Sequence, residues 1–194
     1  MSEPVYAVQS DKVGLGVPRE EGLADITRWF QNLEMTAYLG SIGRAYTATN
    51  ERAWLDRVLA GPEGEAHFFI YARPEGRLVG TCGLFAFTPS GTATLGICIG
   101  DPEAWGRGYG SEAVRLLVQY GMYFRNLHAV NLRVLGFNRR AVRAYEKAGF
   151  RVAGRLRGAI LMGHERFDEI WMDITRDEVD LSPMRAMIGQ LEER

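Results

Sequence analysis

The sequence predicts an α/β (α+β) domain with a mixed central sheet flanked by helices. Three observations carry this. Residues 67–71, 78–87 and 92–99 are rich in aromatic and β-branched side chains. The turn sequences Pro74-Glu75-Gly76 and Pro89-Ser90-Gly91 join them into an antiparallel meander. Between residues 92 and 156 the order becomes strand, helix, strand, helix, strand, which requires crossovers and some parallel pairing. The 194 residues are 46% hydrophobic and 24% charged, enough to bury one core without staples.

The elements follow in order. Residues 13–17 form a short strand stopped by Pro18. Leu23, Ile26, Trp29, Phe30 and Leu33 recur at helical spacing and predict a helix over 20–32. Thr49 is the expected N-cap of a helix over 51–59, ended by Gly61-Pro62. After the meander and Gly100-Asp101-Pro102, residues 110–124 form a strong helix that turns Ala113, Val114, Leu117, Tyr120 and Met122 inward. A strand over 129–135 and a helix over 138–147 follow, with Gly149 in the C′ position. Residues 150–161 and 165–174 make a final hairpin around Gly163. We therefore expect one domain over 1–176 and a helical tail over 177–194. Ser182-Pro183 starts the tail helix, and Met184, Met187, Ile188 and Leu191 form its apolar stripe. That stripe suits either packing on its own domain or a subunit interface, in which case the protein is a homodimer.

Charge and cysteine usage narrow the function. The formal charge of −1 speaks against a general nucleic-acid binder. Cys82 and Cys98 are isolated, with no CxxC, so neither a metal site nor a disulfide framework is expected. Residues 1–9 lack the basic start and apolar stretch of a secretory signal. No run reaches the roughly 18 apolar residues of a membrane span, so a cytoplasmic, membrane-free protein is expected.

The chemistry concentrates in two segments. In LGICIGDPEAWGRGYGSE, residues 95–112, an apolar strand enters a turn holding Gly106, Gly108 and Gly110, and a long helix follows. Glycines let backbone N–H groups converge, and a helix start adds unpaired N–H groups and about half a positive charge. The result is an anion cradle suited to a pyrophosphate. The pattern GxxxxGK[ST] is absent, and Ser111 stands where a dinucleotide fingerprint needs its third glycine. In NRRAVRAYEKAGF, residues 138–150, Asn138 and Tyr145 lie two helical turns apart on one face, with the small Ala141 between them. Each also has a plain structural reading, as an N-cap and a core aromatic. Residues 133–157 carry a net +7 against −8 for the rest, a local field that favours a polyanionic ligand.

These two segments, in this order and spacing, resemble the GNAT superfamily of acyl-CoA-dependent N-acetyltransferases. The family's cofactor motif, Gln/Arg-x-x-Gly-x-Gly/Ala, reads Trp105-Gly106-Arg107-Gly108-Tyr109-Gly110 here, with Trp in the first place. The fuller string WGRGYGSEA is similar to the branch containing ribosomal-protein alanine N-acetyltransferases and spermidine acetyltransferases. The second motif, Asn-x-x-Ala-x-x-x-Tyr-x-Lys-x-Gly-Phe, is intact from Asn138 to Phe150. The resemblance covers residues 13–175. It implies a GNAT-like sheet whose parallel strands, here 95–99 and 129–135, splay apart to admit the pantetheine arm of acetyl-CoA. It implies that Ile97, Cys98 and Ile99 contact that arm and the acetyl carbonyl, and that Trp105, Gly106, Arg107, Gly108, Tyr109, Gly110 and Ser111 hold the pyrophosphate. Asn138 and Arg140 then bind the cofactor, and Tyr145 donates a proton to the departing thiolate. No metal is implied.

A base is harder to read. Related enzymes often carry a Glu near the start of the fourth strand, where this chain has Thr92-Ala93-Thr94-Leu95. His67, Glu34 and Asp101 are candidates by residue type alone. Deprotonating a lysine amine at pH 7 costs roughly 4.6 kcal/mol, whereas an α-amine costs about 1 kcal/mol. The expected function is therefore acetyl transfer from acetyl-CoA to a primary amine, with a protein or peptide N-terminus as acceptor, by direct attack in a ternary complex. A polyamine or small-molecule (antibiotic) amine acceptor is the alternative within enzymes. A non-catalytic acyl-CoA-binding sensor is the alternative outside them. The resemblance implies that the first two helices, the loop near residues 33–48 and the final hairpin set the acceptor.

Overall fold

The computed structural model describes residues 3–40 and 44–192, with side chains through residue 189. Its centre is an eight-stranded mixed sheet with strand order β1-β2-β3-β4-β5-β6-β8-β7. The strands are β1 (Tyr6–Gln9), β2 (Val13–Gly16), β3 (Ala66–Ala72), β4 (Arg77–Phe85), β5 (Thr92–Ile99), β6 (Ala129–Leu135), β7 (Arg151–Met162) and β8 (Glu165–Thr175). Alternation along β3 separates two cores. Phe68, Ile70 and Ala72 join the larger one, and Phe69 and Tyr71 the smaller. The helices α4 (Tyr109–Phe124), α5 (Arg139–Lys147) and α6 (Ser182–Glu192) contribute to the first face; α1 (Leu23–Phe30), α2 (Leu33–Ala37) and α3 (Ala48–Leu59) contribute to the second.

The predicted α/β architecture is present, and local chemistry explains where its bounds differ. The helix expected over 20–32 is a short 3₁₀ turn followed by α1. It stops because the Asn32 side chain accepts the Glu34 and Met35 N–H groups and starts α2. Leu33 therefore leaves the α1 stripe and is exposed, and Met35 is buried instead. The N-cap of α3 is Thr47, not Thr49. Thr47 is extended, its hydroxyl accepts the Asn50 N–H at 3.2 Å, and Asn50 Oδ1 accepts the Thr47 N–H at 3.1 Å. Strand β1 was not expected from sequence; it pairs antiparallel with β2.

The tail helix lies on α4. Leu181 and Met184 are buried in the larger core, and Gln119 Nε2 donates to the Asp180 carbonyl at 2.8 Å. The Leu191 side chain of the expected stripe lies outside the described residues. Among the described residues no helix is long and apolar enough to cross a membrane.

The pairing of β5 with β6 positions the site. It is parallel and covers three positions, Thr92↔Ala129, Ala93↔Val130 and Thr94↔Asn131. Thr94 Oγ1 donates to Asn131 Oδ1 at 3.0 Å, bridging the fork. Beyond it the strands part. The far edge of β5 stays on β4 up to Ile99↔Gly80, and the far edge of β6 stays on β8 up to Leu135↔Glu169. Strand ends held on opposite sides with no pairing between them leave backbone groups free for a ligand.

Candidate active site

The fork opens into a cavity of about 670 Å³, within the roughly 300–1,000 Å³ of small-molecule sites. Its β5 wall includes Ile97, Cys98 and Ile99. Its far end is the glycine turn and the start of α4, with Trp105, Gly106, Gly108, Tyr109, Gly110 and Ser111. Asn138, Arg140 and Tyr145 of α5 complete the wall together with Ala141. Arg107 stands apart: it is exposed and lies outside the cavity wall, between two glycines that belong to it.

The turn combines left-handed glycines with an uncapped helix start. Gly106 and Gly108 have φ of +76° and +83°, the left-handed region where a side chain is strained. At Gly106 an added Cβ would meet no atom within 4 Å, so conformation rather than crowding requires glycine, and the space is open. Gly108 is the N-cap of α4, and no side chain caps that end. The first N–H groups of the helix are left for a ligand. The Tyr109 side chain belongs to the larger core, so a ligand here would meet its backbone. Sequence reading missed Lys12, whose Nζ lies 3.4 Å from where a Gly108 Cβ would stand and adds a cation beside the turn.

Trp105 departs from the family pattern and has a structural task. Its indole Nε1 donates to the Ile99 carbonyl at 2.7 Å, bracing the turn against the free end of β5. The Arg140 guanidinium lies 4.3 Å from the Trp105 ring centre and 5.3 Å from that of Tyr38. One cation thus links α5, the glycine turn and the segment after α2. Asn138 has the structural role of an N-cap and also faces the cavity. Its Oδ1 accepts the Ala141 N–H at 3.1 Å and caps α5.

Tyr145 is buried, and burial pushes its phenol up to about 12, with Cys98 adding to the shift. Burial pushes the Cys98 thiol up to about 12 as well, with Glu51 adding. Cys98 Sγ lies 3.5 Å from Met35 Sδ. At neutral pH Tyr145 therefore holds its proton, and Cys98 is a poor nucleophile.

The three base candidates lie off the cavity wall. His67 Nε2 pairs with Glu65 at 2.6 Å and packs edge-on against Trp54. Asp101 pairs with Arg77 and accepts the Glu103 N–H at 2.9 Å. Glu34 is exposed in the first turn of α2. Two other carboxylates, absent from the sequence reading, are buried near the site. Glu51 lies one turn before Leu55 on α3, and burial raises its carboxyl while Arg44 lowers it. Glu169 on β8 lines the cavity and accepts the Trp171 indole N–H at 2.9 Å. No local sequence signal marks either one, since burial of a lone carboxylate is set by what packs over it.

A splayed parallel pair thus opens beside an uncapped helix start, and one cavity joins the two. Comparison with known proteins gives the family. Residues 12–151 match the acetyltransferase (GNAT) domain. The protein named "Probable N-acetyltransferase YjcK" of Bacillus subtilis is 33% identical over 111 residues, covering 56% of this chain and 58% of that protein. The SPbeta prophage-derived uncharacterized N-acetyltransferase YokL of the same organism is 26% identical over 150 residues, covering 77% and 82%. The spermidine N-acetyltransferase of Vibrio cholerae, solved with CoA and spermine, superposes with a TM-score of 0.77 at 22% identity. That match covers 87% of this chain and 98% of that one. The chain belongs to the GNAT acetyltransferase family, whose members take acetyl groups from acetyl-CoA.

Proposed function

We propose that this protein transfers the acetyl group of acetyl-CoA directly to a primary amine, and that the acceptor is a protein or peptide N-terminus. The observation that supports it most is one continuous cavity. It joins the uncapped α4 terminus, the free edge of β5 and the protonated Tyr145. The N–H groups at the α4 start and the cations Lys12 and Arg140 hold the pyrophosphate. Free backbone groups of Ile97, Cys98 and Ile99 hold the pantetheine arm, and one N–H there stabilises the oxyanion. The amine nitrogen bonds to the carbonyl carbon, the carbon–sulfur bond breaks, and the amine proton passes to water. The Tyr145 hydroxyl donates a hydrogen bond to the sulfur. Its acidity, far below that of a free thiol at ~8.5, favours donation over outright loss of its proton. With Cys98 protonated, the reaction proceeds in a ternary complex without an acetyl-cysteine stage.

An α-amine suits the wall, because a polyamine would face Arg133, Arg140, Arg143 and Lys147 with one carboxylate, Glu169, among the described lining residues. A thiol-release assay with acetyl-CoA against peptide N-termini, spermidine and aminoglycoside amines tests the reading. Turnover on peptides supports it. Turnover on spermidine alone moves the acceptor to polyamines. Saturable acetyl-CoA binding with no turnover on any amine makes the chain a sensor.

A further inference from the structure

The β6–β8 wall of the cavity carries a charged pair, Arg133 and Glu169, that the transfer chemistry above does not use. Glu169 is paired in register with Leu135, the last residue of β6. The segment ending α2 covers this point: a Cβ on Gly40 would lie 3.6 Å from the Leu135 side chain, and Leu39 and Gly40 line the cavity with Glu169. Tyr38 lines the same cavity and packs against Phe137 at 6.2 Å, which packs in turn against Phe167 at 4.9 Å.

Glu169 itself is 9% exposed. Its Oε2 accepts the Trp171 indole N–H at 2.9 Å, which fixes the carboxylate. Its Oε1 stands 3.9 Å from Arg133 Nη1, beyond hydrogen-bond range. Arg133 also lines the cavity, with a side chain 57% exposed and its guanidinium 5.7 Å from the Trp171 ring centre. A long, solvent-screened pair of this kind gains little from its own attraction. Glu169 Oε1, however, is open to a further donor from the cavity that the residue lines. The two groups are thus poised to exchange each other for ligand charges.

We infer that Glu169 and Arg133 read the acceptor: the carboxylate receives its ammonium and the guanidinium receives a carboxylate beside that ammonium. The 3.9 Å separation sets the scale. One extended residue spans about 3.3–3.6 Å, so the anion lies within the acceptor's first two residues. The preferred substrate is then a peptide N-terminus with an acidic residue at its first or second position. This inference rests on the acetyltransferase reading and narrows it.

Binding decides it. The full chain is saturated with CoA and titrated with peptides carrying a C-terminal dye and an Asp, Ala or Lys second residue. Spermidine competition is read in parallel. The Asp peptide is expected to bind about tenfold or more tightly than the Lys peptide. Arg133→Gln should erase that preference and leave the Ala peptide within about twofold. Glu169→Gln, which can still accept the Trp171 N–H, should weaken all three peptides about tenfold or more. A purely structural Glu169 would move the CoA affinity as well, so an unchanged CoA Kd in Glu169→Gln supports the recognition role. Equal affinity for Asp and Lys peptides, unchanged peptide binding in Glu169→Gln, or tighter binding of spermidine overturns the inference. Discrimination between peptides without acetyl transfer would sustain it and count against the transferase reading alone.

Discussion

Tyr145 is where chemistry and burial meet. Its hydroxyl keeps its proton at physiological pH, and burial, which pushes it up to about 12, extends that into alkaline solution. Tyr145→Phe is expected to lower kcat about 100-fold while leaving the acetyl-CoA Kd within about twofold, as stopped-flow and titration would show. In the unaltered enzyme Tyr145 should add no falling limb to the kcat profile between pH 8 and 10. The same shift has a sign for stability. A phenol whose folded pKa exceeds its unfolded value of ~10 contributes stability below that value and loses it as pH rises through about 12. Glu51 follows a similar rule at lower pH. Burial raises its carboxyl, so at neutral pH the folded state carries the cost of an ionised buried group. Glu51→Gln should raise the melting temperature at pH 7, and the gain should vanish as pH falls through the ordinary carboxylate range. Asn138 and Tyr145 were legible in the sequence from spacing and motif. Glu51 and Glu169 were not, because their surroundings are distant along the chain: Glu51 of α3 is buried close enough to β5 to act on Cys98, and Glu169 shares the cavity wall with the segment ending α2.

Among the elements, the turn into α4 links conformation to ligand binding most directly. Gly108→Ala places a Cβ in the left-handed region, at roughly 1–2 kcal/mol, and puts it beside Lys12. It should lower the melting temperature and weaken acetyl-CoA binding about tenfold or more. Gly61→Ala is the control: its φ is +65°, nothing lies within 4 Å of the new Cβ, and it is far from the turn in sequence, after α3. It should cost similar stability and leave acetyl-CoA affinity unchanged. The expected order of strands and helices through residues 92–156 is present because period and turn residues are local signals. The split of the first predicted helix and the capping of α3 by Thr47 were harder to read. In both, a side chain competes for backbone N–H groups, at Asn32 and at Thr47, and several Asn and Thr residues nearby offer the same chemistry.

For the whole molecule, the fork between β5 and β6 and the helix that closes the chain matter most. Leu181 and Met184 are buried in the larger core against α4. Removing residues 181–194 should therefore cost roughly 3–6 kcal/mol, read as a lowered denaturant midpoint. Sequence favoured packing on its own domain over a subunit interface for this helix without deciding it, since an apolar stripe does not say which surface it meets. The fork itself was legible through family resemblance, not through periodicity: both strands read as ordinary apolar runs, and what separates them is that their outer edges stay bound to β4 and β8. Calorimetric titration of the full chain with acetyl-CoA tests that feature most directly. The account predicts saturable one-to-one binding that Gly108→Ala weakens and Gly61→Ala does not. An absence of saturable heat, or equal affinity in Gly108→Ala and the unaltered chain, would contradict it.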